Sequence, residues 1–178
     1  RLDSSVPPGY PATPSSFTVD AVCGQPVSLN ATVQAIPALP PTITVKLSPG
    51  IIWPPNGKLV TVQAAITASS PDGHATDITL VSVTSSDAGA ADDIKGTSIG
   101  TDDRVFQLRA ERSGRPGRIY TVTYQATDTV TGLTTTQSAI VIVPHSRGLA
   151  SLLWLLSLLQ THGHDRGLYA QILQMLSS

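Results

Sequence analysis

The chain has 178 residues, 11 Lys and Arg against 12 Asp and Glu, and a net charge of −1. That balance argues against the clustered basic face a nucleic-acid binder needs. Only 13% of residues are charged, against about 25% in ordinary soluble domains, and the single cysteine excludes an internal disulfide framework or a multi-thiolate zinc site.

Residues 1–16 carry Pro7, Pro8, Pro11 and Pro14 with little to bury, and read as an extended arm. The chain begins at Arg1 and shows no signal peptide, so it is expected to be a processed or trimmed product. Two strand-like stretches follow, Phe17–Val22 and Val27–Ile36. The second alternates Val27, Leu29, Ala31, Val33 and Ala35 with Ser28, Asn30, Thr32 and Gln34, which predicts one buried and one wet face. Cys23 reads as a small buried hydrophobe, and Asn30-Ala31-Thr32 is a glycosylation sequon expected to be unused. Pro37, Pro40 and Pro41 close this segment, so residues 1–40 form a Pro-rich arm with one or two strands.

From residue 41 to 146 the pattern is all-β. Strands are predicted over Thr42–Leu47, Lys58–Ser69, Asp77–Ser85, Arg104–Ala110, Arg118–Thr127 and Leu133–Val143, separated by SPG, WPPNG, SPDG, SGRPG and DTVTG. Six or seven short strands without a helical period give a sandwich. In Arg118–Thr127 the apolar Ile119, Val122 and Tyr124 break strict alternation, which predicts a bulge or burial on both faces. Trp53-Pro54-Pro55 predicts a rigid bend whose indole plugs one end of the core. Alternation places Arg109 and Glu111 on one face, where a cross-strand charge network is expected.

Past Pro144 the period changes. Leu149–Leu159 and Leu168–Leu176 are Leu-rich and joined by THGHDRG, so residues 147–178 read as a short α-helical hairpin. The first helix is apolar nearly all round and must be buried. At this length it is too short to span a bilayer, which takes about 20 residues.

LSPGIIWPPNGKLVTV (47–62), DDIKGTSIGTDDRVFQLRAERSGRPGRIYTVTYQATD (92–128) and IVIVPHS (140–146) together resemble the bacterial Ig-like, hyalin-repeat-like modules of large secreted and surface proteins. The resemblance covers about residues 41–146. It implies an immunoglobulin-like antiparallel β-sandwich, outside the cell, used for adhesion, spacing or assembly, with no catalytic residues to carry over. Where related modules commonly read GN after the TD, this chain has Asp128-Thr129-Val130-Thr131-Gly132.

Chemistry-bearing candidates are few. Asp87, Asp92, Asp93, Asp102 and Asp103 fall in one loop-rich region and are weak calcium candidates, because the DxDxDG spacing is missing and Asp is also an ordinary turn residue. Calcium is the one cofactor the sequence leaves open. His162 and His164 are read as solvated turn residues, since two ligands do not make a site. No GxSxG or HExxH occurs, and the four histidines lie in turns or segment ends, so no enzyme is expected. Aromatic residues are 4% of the chain, a thin supply for stacking on sugar rings.

These features predict a non-catalytic, secreted or cell-surface module that self-associates. The expected contacts are Val27, Leu29 and Val33 on the N-terminal strand, with Leu149, Leu152, Leu153, Trp154, Leu156 and Leu159 on the first helix and Ile172 and Leu176 on the second. The alternative arrangement pairs the strand with its own sandwich and caps the open end with the helices. A glycan or another surface protein is the alternative partner.

Overall fold

The structure is a computed structural model and describes residues 37–87, 90–112 and 117–146 together with Ser157. It is mainly β. Among the described residues seven strands run in chain order: β1 Thr42–Ser48, β2 Leu59–Ser69, β3 Thr76–Ser85, β4 Ile94–Lys95, β5 Val105–Arg109, β6 Gly117–Asp128 and β7 Thr134–Pro144. They form two antiparallel sheets ordered β1-β2-β5-β4 and β3-β6-β7, which share one core as a β-sandwich does.

Period-2 patterning explains which residues enter that core. On β2, Val60, Val62, Ala64, Ile66 and Ala68 turn inward while Thr61, Gln63, Ala65 and Thr67 stay wet. Phe106 and Leu108 of β5 meet Leu80 of β3 and Tyr120, Val122, Tyr124 and Ala126 of β6 in the fully buried centre. Each fully buried side chain of this size contributes about 1.5–3 kcal/mol of hydrophobic stabilisation.

Three local expectations are corrected. β6 carries no bulge: it alternates buried and half-buried residues strictly along its length, in unbroken register with β7. Ile119 takes the outer face by parity with the inward Tyr120 and is half-buried, like every outward residue of β6, so both faces are covered at least in part, the other outcome expected for this strand. The bulge lies on β3 instead, where the pairing with β6 slips between Leu80 and Ser82 and leaves Val81 exposed. The end of the core is sealed by Ile52, 2% exposed, while Trp53 is only half-buried. Arg109 bonds to Asp93 rather than forming a network with Glu111, which is exposed beyond the strand end.

After β1 the chain crosses to the other sheet. Ile51 bridges Ile142 in parallel; Ile142 N–H donates to Gly50 O, and Ile52 N–H donates to Ile142 O, both at 2.9 Å. At the start of β6, Gly117 has φ of +142°, and a Cβ there would lie 2.5 Å from the Val143 carbonyl oxygen. Only glycine fits so close an approach. The N-terminal strands and the C-terminal helices lie outside the described residues, apart from Ser157, which is helical. So do all the expected contact residues from Val27 to Val33 and from Leu149 to Leu176.

Candidate functional site

The inner face of β6 reads Arg118, Tyr120, Val122, Tyr124, Ala126, Asp128, with a charge at each end of an apolar and aromatic middle. Each charge organises one end of the sandwich.

Arg118 lies among residues from two loops. Its Nε donates to Asp87 at 2.6 Å, one Nη to Asp93, and the same nitrogen to the Tyr120 hydroxyl at 3.0 Å. The guanidinium also stands 5.8 Å from the centre of the Tyr120 ring. Asp93 takes a second cation, Arg109 Nε at 2.6 Å, and Arg109 Nη1 continues to Gly57 O at 2.9 Å. Burial alone would push the Asp93 carboxyl up. The hydrogen bonds and charges of Arg118 and Arg109 outweigh it and hold the carboxyl below its ordinary value. For Arg118, burial works against the charged form, but Tyr120, Asp93 and Asp87 outweigh it and raise its pKa.

Asp128 is fully buried at the other end. Its carboxylate accepts Ser70 Oγ at 2.6 Å, the Val130 and Thr131 amides at 2.9 and 2.8 Å, and pairs with His74 Nδ1 at 3.1 Å. The Ser70 hydrogen bond is the main cause of a pKa held well below the carboxylate range; burial opposes it, and the two amides and His74 add to it. This ties the SPDGH turn to the DTVTG hairpin. A serine, a histidine and an aspartate therefore meet, but the aspartate stands between the other two. Activating a serine needs the imidazole in the middle. The arrangement holds two turns together and leaves Ser70 donating its proton to a carboxylate.

Two tyrosines add cross-sheet ties. Tyr120 Oη donates to Arg109 O at 2.9 Å and Tyr124 Oη to Asp103 O at 2.5 Å. Burial, with the charges of Asp103 and Asp102, pushes the Tyr124 phenol up to about 12. These rings and Phe106 are buried and cannot stack on a sugar.

The five calcium candidates are divided among separate duties. Asp87 and Asp93 meet at Arg118; Asp92 pairs with Lys95 at 3.0 Å; Asp102 pairs with Arg104 at 2.8 Å. Asp103 accepts the amides of Ser98 and Val105 at 2.8 and 3.2 Å. Among the described residues, no three His, Cys, Asp or Glu side chains group in a way that could hold a metal ion. None of their helices is long and apolar enough to cross a membrane. His145 Nε2 lies 2.6 Å from Arg112 Nη1, while His162 and His164 lie outside the described residues.

Arg118, Ser70, His74 and Asp128 were not singled out by sequence reasoning. Parity along β6 was the signal available: Arg118 and Asp128 share the face of Tyr120, Val122 and Tyr124, and so are buried with them. Comparison with family models, curated proteins and solved structures finds no match to this chain.

Proposed function

We propose that this chain is a non-catalytic structural module, secreted or displayed at the cell surface, that self-associates through its N-terminal strand and its C-terminal apolar segment. The observation that carries the reading is how the charged groups of the sandwich close on one another. Arg118 with Asp87 and Asp93, and Asp128 with Ser70 and His74, each terminate on structural partners at an end of the fold. Among the described residues no buried side-chain nitrogen or oxygen lacks a partner. Such a body serves as a rigid spacer, and the segments that reach for a second copy are then sought outside it.

We read the sandwich as immunoglobulin-like. The order β1-β2-β5-β4 against β3-β6-β7 supports this, being the A-B-E-D and C-F-G order of the constant-type fold. So does Tyr120, near the start of the sixth strand, with its hydroxyl on an upstream backbone carbonyl.

Light scattering and negative-stain imaging of the purified chain at micromolar concentration test the proposal. Filaments or defined oligomers are expected, and deletion of residues 1–36 should yield monomers. A monomer near 18.6 kDa for the intact chain would overturn the proposal.

A further inference from the structure

The hydrogen-bonding direction of every residue on β7 can be assigned. Asp128 N–H donates to Leu133 O at 2.9 Å, and hydrogen-bonded pairs recur at every second residue of an antiparallel ladder. The odd-numbered residues of β7 therefore bond inward to β6, and the even-numbered ones direct N–H and C=O to the outer edge. Ile142 agrees, since both its backbone groups bond outward to Gly50 and Ile52. That contact covers only the far end of the strand. Thr134, Thr136 and Ser138 present their backbone groups at an edge where, among the described residues, no strand pairs with them. The Ser138 carbonyl accepts the Gln137 side-chain amide at 3.2 Å.

The other edges are guarded. β4 is two residues long; β3 carries the bulge at Val81, and its Leu80 is already bonded to Gly100 and Thr101. β1 bears Lys46 and lies between Pro41 and Pro49. The first half of β7, by contrast, has no charge, proline or bulge, and stays in register with β6 over eleven pairs. An edge without such devices is a template for an added strand.

We infer that this edge, Thr134 to Ser138, receives residues 27–36 of a second copy of the chain as an added β-strand. The inference rests on the assembly proposed above and names its acceptor. Parity fits: Ser28, Asn30, Thr32 and Gln34 match the solvent-facing Thr134, Thr136 and Ser138, and Val33 and Ala35 then face the core side with Thr135 and Ala139. The donor is a second copy because the chain leading out of 27–36 does not turn back. Residues 37–41 run into β1 without a turn or bend. Ile36, Leu39 and Pro40 each precede a proline, which disfavours the α-region that most reversals use.

Thr136→Pro removes one outward N–H at a position where an edge strand tolerates proline. It should leave the circular-dichroism spectrum and cooperative melting intact while assembly is lost. In a Cys23→Ser background, chains with Thr136→Cys are mixed with chains carrying one cysteine in place of Ser28, Leu29, Asn30, Thr32, Val33 or Gln34, then oxidised. Disulfides between chains should form at one or more even-numbered positions and not at Leu29 or Val33. Assembly that survives Thr136→Pro but not deletion of residues 1–36 overturns the edge assignment alone. Cross-links confined within single chains, made by a Gln34→Cys, Thr136→Cys double variant, overturn the second-copy donor. A monomeric unmodified chain overturns the assembly proposal with it.

Discussion

Replacing Arg118 by methionine tests whether the charged end of the sandwich behaves as part of the interior. The Arg118 side chain is 6% exposed, against 19% for Asp87 and 14% for Asp93. Methionine fills much of the same volume but leaves Asp87 without its cation, while Asp93 keeps Arg109 at 2.6 Å. Breaking a buried pair from one side costs about 3–5 kcal/mol, because a desolvated charge is stranded; an exposed pair is worth at most about 1 kcal/mol. Water reaches Asp87 better than it reaches Arg118, so the lower end applies, about 3 kcal/mol. With a urea dependence of about 1–3 kcal/mol per molar, the unfolding midpoint should fall by about 1–3 M, read by far-UV circular dichroism. Adding Asp87→Asn should recover part of the loss, since the stranded group is then neutral. A midpoint shift worth less than about 0.5 kcal/mol, or no recovery with Asp87→Asn, would refute the reasoning and place the pair with ordinary surface pairs.

Leu80→Ala should cost about 2–5 kcal/mol, because Leu80 is fully buried beside the bulge with both backbone groups held by Gly100 and Thr101; a loss under about 1 kcal/mol in urea unfolding would show that the site collapses to fill the space. Stability against pH should form a plateau with two falling limbs. Asp93 and Asp128 have folded pKa values below the ordinary 3.8, so their contribution is complete above that pH and is lost as pH falls through the folded values. Tyr124, raised from 10.0 to about 12, is neutral in the fold, so stability falls as pH climbs between those values. Urea midpoints across pH 2–12 check both limbs; Asp128→Asn should flatten the acid one and Tyr124→Phe the alkaline one, and unchanged limbs would contradict the assignments.

The strands were legible because one face of each is buried. Alternation on β2 and β7 placed them within about two residues of where they lie. β4 was not legible, since two residues carry no period. The bulge was misplaced because adjacent apolar residues, as at Ile119-Tyr120 and at Leu80-Val81, recur in several strands, and only the neighbouring strands decide which pair slips. The polar ends were hidden for another reason. Arg118 meets Asp87 and Asp93 from 31 and 25 residues away, and Asp128 meets Ser70 from 58. An isolated arginine or aspartate reads as solvated until the fold supplies its partner.

The parallel crossing at Ile51 and Ile142 bears on how the module would carry load. The chain that leads into β1 and the chain that leaves β7 attach to segments that run in the same direction, joined by the two hydrogen bonds of Ile142. Tension between those points pulls the two segments past each other along their length, so both bonds and the packing around them resist together. A hairpin pulled open from one end yields its bonds singly. In a chain of linked modules, as proposed above, the short contact at the far end of β7 would act as a shear clamp on the path of the force.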